Sequence, residues 1–222
     1  MKYPAHAMAT TRSTLLAKIR DPENAAAWER FFNTYAGYIY SIAYRAGLQP
    51  ADADEATQAT LLQVMKQLTA APYDRSKGPF HTWLAICAKS RTRDNLRAIR
   101  ARQKHETTMS AQSPGGESRE SACSLARDFM AADAFVQLAD EEWQALVHDH
   151  ALKALRDKIS AKAFTLFHAY CIEEWPLEKV MAATGASRAS VYQTKHRVLP
   201  LYAAELKASA ARLDAPSFPA NL

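Results

Sequence analysis

Apolar residues recur at three- and four-residue steps along most of the chain, a spacing that predicts amphipathic α-helices. In the first half this spacing predicts three main helices, over residues 24–46, about 50–70 and about 80–102. Gly47 is placed to end the first helix, and Pro50 is placed to open the second. Because the same period returns in the second half and the chain holds only 6 glycines, the predicted fold is all-α.

The second half of the chain contains a short helix, a tight turn and another helix. Helices are predicted to begin within residues 126–140 and to resume after Ser160. Pro176 then opens the short helix, Gly185 supplies the turn, and Ser187 can cap the helix that follows. This is the helix-turn-helix pattern, whose second helix can enter the major groove of DNA.

Two small helical domains are predicted, because a polar stretch separates the two halves. Residues 103–123 are rich in Ser, Gly and Thr and have too little apolar area to offset the entropy of ordering, so we expect a flexible linker. Pro200 is expected to kink or end the last helix, and the tail is expected to fray from Ala208. The predicted divisions are a flexible N-terminus at 1–11, a first helical domain at 12–104, a linker at 105–139, a second helical domain at 140–206 and a C-terminal tail at 207–222.

The net charge of +5 is distributed unevenly. Residues 1–104 carry +8, whereas residues 105–222 carry −3. Within the positive half, residues 88–104 hold seven Lys or Arg against one acid, Asp94, and in the other half residues 187–199 hold three basic residues and no acid. Positive charge focused in this way is typical of a nucleic-acid contact.

Several other classes of protein are disfavoured. No apolar run reaches the ~18 residues of a membrane-spanning helix, and the first residues lack the apolar centre of a secretion signal. Three cysteines without a short spacing suit a reducing compartment, so we expect a cytoplasmic protein. The pairs His148 with His150 and His168 with Cys171 have no second pair at a matching spacing, so we expect no metal site. Because no phosphate-loop, zinc-protease or serine-hydrolase motif occurs, we expect no enzyme, no cofactor and no small-molecule substrate.

Four blocks of sequence carry a resemblance to a known family. They are DPENAAAWERFFNTY, GLQPADADEATQATLLQVMKQL, YDRSKGPFHTWLAICAKSRTRDNLR and PLEKVMAATGASRASVYQTKHRVL. In this order the chain resembles the extracytoplasmic-function sigma factors of bacterial RNA polymerase, in the sigma-70 family, over about residues 12–104 and 140–206. The resemblance implies sigma domains 2 and 4, binding to the β and β′ subunits of core RNA polymerase, recognition of minus-10 and minus-35 promoter elements, and opening of promoter DNA. An anti-sigma protein is a further candidate partner.

The resemblance also implies roles for particular residues. The candidates for contact with core polymerase are Asp54, Glu55 and Gln58. The candidates for the minus-10 element are Tyr73, Arg75, Lys77, Phe80, His81, Lys89, Arg93, Asn95, Arg97 and Arg100. The candidates for the minus-35 element are Arg188, Ser190, Gln193, Thr194, Lys195, His196 and Arg197. Trp83, flanked by Leu84 and Cys87, is expected to pack in the core.

The sequence departs from the family pattern at several positions, among them Ala56 and Thr57 on the second helix and Thr184 and Ala186 near the turn, which are smaller than the usual residues. Ala59 replaces the usual acid of the polymerase-binding helix, Met181 replaces an alanine between the last two helices, and Pro200 replaces a basic contact. The change at Ala59 is expected to alter the affinity for core polymerase, and the change at Met181 is expected to alter the crossing angle of the last two helices.

Two other functions remain open. The first is a stand-alone helix-turn-helix regulator, which predicts tight duplex binding by a dimer. The second is a helical adapter that binds an acidic protein, which predicts no salt-dependent DNA binding. In contrast, ~6 phosphate contacts would give a log-log salt slope near −5.

Overall fold

The structure, a computed structural model, describes residues 15–16, 18–74, 76, 78–109 and 132–213. Over these residues it contains seven α-helices and no β-strand, which confirms the predicted all-α fold. The helices are α1 (Ala25–Arg45), α2 (Pro50–Ala70), α3 (Phe80–Met109), α4 (Ala132–Arg156), α5 (Ala161–Phe167), α6 (Leu177–Thr184) and α7 (Arg188–Leu213), and a π-helical turn, His168–Ile172, continues α5.

The chain divides into two compact units, unit 1 (Met1–Gln144) and unit 2 (Ala145–Leu222). Unit 1 is built on α1, α2 and α3. The Asn24 side chain caps α1 by accepting a hydrogen bond from the Ala27 backbone N–H at 3.1 Å. Most buried residues of α1 are large, whereas the first turns of α2 place small residues inward, among them Ala53 and Ala56. These small side chains pack against Ala43 and Leu96, which brings α2 close to its neighbours.

Unit 2 contains the C-terminal half of α4 together with α5, α6 and α7. The α4 residues Val147, Ala151 and Leu155 are buried at four-residue steps, as expected for one face of a helix. Gly185 adopts the left-handed conformation, with φ of 66°, and turns the chain between α6 and α7. Helix, tight turn and helix follow one another as the sequence predicts.

The structure differs from the predicted linker at its C-terminal end. Residues 132–139 belong to α4, and within this stretch Phe135 and Leu138 are buried in unit 1. Apolar residues at helical spacing supply the buried area that the polar stretch before them lacks. At the N-terminal end of the predicted linker, residues 105–109 belong to α3. The remaining linker residues, 110–131, and the predicted flexible N-terminus, 1–11, lie outside the described residues.

The C-terminal helix is longer than predicted. Helix α7 does not end at Pro200, and it continues past Ala208 to Leu213. Val198 and Tyr202 are buried on either side of the proline, and Glu205 forms ion pairs with Lys158 and Arg212. Tertiary contacts therefore hold the helix across a residue that would disfavour an isolated one. The prediction that the tail frays from Ala208 is wrong as far as Leu213, because Ser209 and Leu213 are buried by tertiary contacts.

Candidate nucleic-acid interface

The outer face of α2 holds the residues proposed to contact core polymerase. Asp54, Glu55 and Gln58 are all exposed, and they lie on the face of α2 opposite to its small buried residues. Leu62 follows Glu55 by seven residues on the same face and is 54% exposed. The sequence analysis missed Leu62, although an apolar residue four positions after Gln58 is the signal that would have found it.

Helix α3 presents two cations that form no ion pair with any described residue. Arg93 and Arg97 are exposed at a four-residue step, and neither takes part in an ion pair within the part of the chain that the structure describes. Arg91, in contrast, donates a hydrogen bond to the Gln63 side chain at 2.7 Å and pairs with Asp94 at 3.6 Å. Arg100, also proposed for the minus-10 element, is half-buried.

Two other candidates on α3 make contacts inside unit 1. The Lys89 ammonium lies 4.4 Å from the centre of the Phe135 ring, a cation–π contact. Burial, with a smaller contribution from nearby Arg93, lowers the pKa of Lys89 below its ordinary value. The Asn95 side chain donates a hydrogen bond to the Asp52 carbonyl at 3.4 Å, and so links α3 to the start of α2.

Phe80 and His81 are not on the surface. Phe80 is 0% exposed, and its ring packs against the rings of Phe31 and Tyr35 at 6.1 and 5.5 Å. His81 is 2% exposed and stacks on Trp143. Neither side chain can reach a base in this conformation. The placement of Phe80 at the minus-10 element is therefore corrected to a core position, and His81 is covered by a residue far away in the sequence.

A cavity of about 280 Å³ opens where the α2–α3 loop meets α3. Tyr73, Trp83 and exposed Ile86 line it, and the Tyr73 and Trp83 rings are 5.5 Å apart. The Tyr73 hydroxyl donates a hydrogen bond to the Gly78 carbonyl, which holds the ring at the rim. Trp83, expected in the core, is half-buried and borders this cavity. The candidates Arg75 and Lys77 belong to the same loop but lie outside the described residues.

In unit 2, the first turns of α7 carry an exposed polar face. The exposed members of the predicted minus-35 set are Arg188, Gln193, His196 and Arg197. Ser190 is half-buried, and its backbone N–H donates to the Ser187 hydroxyl at 3.3 Å, which is the cap predicted for this helix. Lys195 is half-buried, and its ammonium lies 5.5 Å from the centre of the Tyr170 ring.

Thr194 is a core residue. Its side chain is 6% exposed and lies on the face of α7 that also buries Val191 and Val198. The three positions follow the three- and four-residue steps of one helix face. The prediction that Thr194 points toward a base edge is therefore corrected.

Two tyrosines of unit 2 contact the cations of α7 and were missed by the sequence analysis. Tyr170, in the π-helical turn, packs edge-on against Tyr192 with ring centres 6.0 Å apart, and Arg188 lies 5.7 Å from the Tyr192 ring centre. A hydrogen bond from Tyr170 is the main cause that lowers the pKa of Tyr192. No periodic signal in the sequence predicts a π-helical turn, so the pairing of residues 170 and 192 could not be found there.

One comparison with known proteins bears on unit 1. The described residues form an all-α structure of two units, the first with a cation-bearing helix next to an aromatic-lined cavity and the second with two helices joined by a tight turn. Residues 31–103, which lie in unit 1, match the family model for sigma-70 region 2. This part of unit 1 is therefore similar to sigma-70 region 2. Neither a comparison with curated proteins nor one with solved structures found a match.

The described residues contain neither a candidate membrane-spanning helix nor a candidate metal-binding cluster. None of the helices in the described ranges is long and apolar enough to span a membrane. Within those same ranges, no group of three or more His, Cys, Asp or Glu side chains is arranged to hold a metal ion.

Proposed function

We propose that this chain is an extracytoplasmic-function sigma factor, which binds core RNA polymerase, recognises minus-10 and minus-35 promoter elements and promotes the melting of promoter DNA. The region 2 match gives the family-level support, and the order of the four sequence blocks supports the subtype. The observation that carries the proposal is the pair of exposed cations, Arg93 and Arg97, on the helix that borders the aromatic cavity.

The cavity and the cations have complementary tasks in melting. Unstacking a base costs a few kcal/mol, and stacking that base on an aromatic side chain returns about 1 to 3 kcal/mol. Tyr73 and Trp83 at the cavity rim supply aromatic surface, and Ile86 supplies apolar surface. Arg93 and Arg97 supply the positive charge that holds the phosphates of the separated strand. Together they favour the open form of the DNA over the duplex.

In unit 2, the exposed side chains of α7 suit the minus-35 element. Arg and Gln are the side chains that pair bidentately with guanine and adenine in the major groove, and Arg188 and Gln193 are exposed there. Arg197, together with Lys195 and His196, is proposed to contact phosphates. On α2, Asp54, Glu55 and Gln58 form the proposed contact with core polymerase, next to exposed Leu62.

Charge reversal tests the role of the α3 cations. The variant R93E/R97E is expected to reduce open-complex formation at least tenfold, because two phosphate contacts become repulsions, while binding to core polymerase stays within about twofold. Permanganate footprinting measures melting, and a pull-down with core polymerase measures binding.

The matched control for that variant is R20E/R30E. It makes the same change in net charge at two exposed positions of unit 1 outside α3. An equal loss of melting in both variants, or an equal loss of melting and polymerase binding in R93E/R97E, would contradict the role of α3.

The second candidate function is a stand-alone helix-turn-helix regulator. The observation that favours it is the geometry of α6, the Gly185 turn and α7, which does not depend on polymerase. It predicts tight, sequence-specific duplex binding by the chain alone, whereas a sigma factor binds promoter DNA tightly only with polymerase.

A further inference from the structure

Within unit 1, the N-terminal half of α4 packs on α1 and α3. It lies beyond the residues that match sigma-70 region 2. We call residues 134–144 the cover segment. Its buried side chains recur on one helix face, and they are Phe135, Leu138, Ala139 and Trp143. The region 2 match ends at residue 103, so the cover segment is an addition to that domain.

Trp143 of the cover segment packs against three aromatic rings of unit 1. Its ring stacks on His81 with centres 4.6 Å apart and planes at 17°, and on Tyr35 at 6.3 Å and 6°. Tyr38 meets the same ring edge-on at 5.4 Å. His81 and Trp143 are both 2% exposed, so the contact removes a predicted minus-10 residue from solvent.

The cover segment also engages a predicted DNA-binding cation. Phe135 lies under the Lys89 ammonium, 4.4 Å from the ring centre, and burial lowers the pKa of Lys89. The Tyr38 hydroxyl donates to the Ala139 carbonyl at 3.4 Å. Lys89 is therefore held against the cover segment, whereas Arg93, one turn further along α3, remains exposed.

Ion pairs secure the C-terminal end of the cover segment. The Arg45 guanidinium bonds Glu142 at 2.8 Å and Glu141 at 3.0 Å, and these bonds raise the pKa of Arg45. Asp140, Glu141 and Glu142 are consecutive acids, so the segment brings negative charge to a basic domain as a DNA backbone would. The side chains of Arg45 and Glu141 are each 45% exposed, so this contact can be changed without opening the core.

From these contacts we infer that the face of unit 1 formed by Arg45, His81 and Lys89 has two mutually exclusive occupants, the cover segment in the free chain and promoter DNA. This inference rests on the proposed function. The apparent Kd for DNA equals the intrinsic Kd divided by the fraction of molecules in which the cover segment is released, so docking weakens binding and release restores it. A sigma factor built in this way withholds part of its minus-10 surface until DNA displaces its own helix.

The test removes the ion pairs and preserves the helix. In E141Q/E142Q, docking is weaker, and we expect binding to a labelled single-stranded DNA of mixed sequence to tighten about three- to tenfold, as measured by fluorescence anisotropy with the full chain. The control E23Q/E29Q removes the same charge from two exposed acids of unit 1 outside the segment, and its affinity is expected to change less than twofold.

Hydrogen exchange gives a second, protein-only measurement. Backbone amides of residues 134–144 are expected to exchange faster in E141Q/E142Q than in the wild-type chain, and to exchange faster in the wild-type chain when DNA is added. The variant R45E is expected to speed their exchange, and R45E/E142R is expected to restore protection by reversing the pair.

Each failure has a separate signature. If the wild-type chain binds DNA while residues 134–144 stay protected, the cover segment is a fixed part of unit 1 and the inference is overturned. The inference is also overturned if E141Q/E142Q and the control E23Q/E29Q tighten DNA binding equally. If no variant binds DNA, although exchange still shows release in E141Q/E142Q, the inference is overturned, whereas the proposed function is judged separately by transcription with core polymerase.

Discussion

At the scale of the residue, exposure separates the predicted minus-35 contacts into two groups. Gln193 is exposed on α7, and Thr194, its neighbour, is buried. The sequence contained the signal for Thr194, because it lies three residues after Val191 and four before Val198, both buried. It contained no such signal for His81, since the covering ring belongs to Trp143, more than sixty positions away.

The two neighbours are expected to respond differently to truncation. Gln193→Ala should change base preference at one position of the minus-35 element, by about 1 to 3 kcal/mol between the preferred and the other bases, and leave stability unchanged. Thr194→Ala should leave the preference unchanged and lower the free energy of unfolding. Selection from a randomised minus-35 library, with urea unfolding alongside, checks both, and a preference that shifts only in Thr194→Ala would refute the assignment.

Two histidines of unit 2 make stability depend on pH. Burial lowers the pKa of His148 and of His150 below the ordinary value of 6.5. As the pH falls through about 6.5, the unfolded chain takes up protons that the folded chain does not. The free energy of unfolding therefore decreases until the pH reaches the lower pKa values of the folded chain. The melting temperature should therefore drop between pH 7.5 and pH 5.5, taken as about one unit on either side of that value. In H148Q/H150Q this pH dependence should flatten, and an unchanged dependence would show that other groups cause it.

At the scale of the element, helices with strong periodicity and clear end signals could be predicted from the sequence. Helix α1 begins after its Asn24 cap and α2 begins at Pro50, close to the predicted positions. The ends that were missed depend on tertiary contacts. Residues 132–139 are helical where Phe135 and Leu138 find a surface on unit 1, and α7 passes Pro200 because buried residues hold it on both sides.

The turn between α6 and α7 gives an element-scale prediction with a matched control. Gly185 has a φ of 66°, and nothing lies within 4 Å of an added Cβ, so Gly185→Ala costs only backbone strain, about 1 to 2 kcal/mol. Gly37 lies exposed within α1, and its Cβ also meets nothing within 4 Å, so Gly37→Ala should stabilise the chain by about 1 kcal/mol. Urea unfolding measures both, and shifts of the same sign would contradict the account of the turn.

At the scale of the whole molecule, the chain combines a unit that matches the sigma-70 region 2 model over residues 31–103 with a second helical unit. The charge asymmetry in the sequence was sufficient to point to α3 as the candidate contact for a polyanion, and Arg93 and Arg97 on that helix are exposed and form no ion pair with a described residue. It was not sufficient to predict the α4 contacts on unit 1, because those combine aromatic stacking with one exposed ion pair network around Arg45.

The most direct measurement of the central claim is transcription in vitro with purified chain and core RNA polymerase on promoter fragments selected from its own genome. We expect the chain to bind core polymerase and to start transcripts at fixed positions downstream of a two-element promoter, and we expect R93E/R97E to retain the polymerase but to lose the transcripts. A chain that does not bind core polymerase, and that binds duplex DNA tightly as a dimer on its own, would contradict the account.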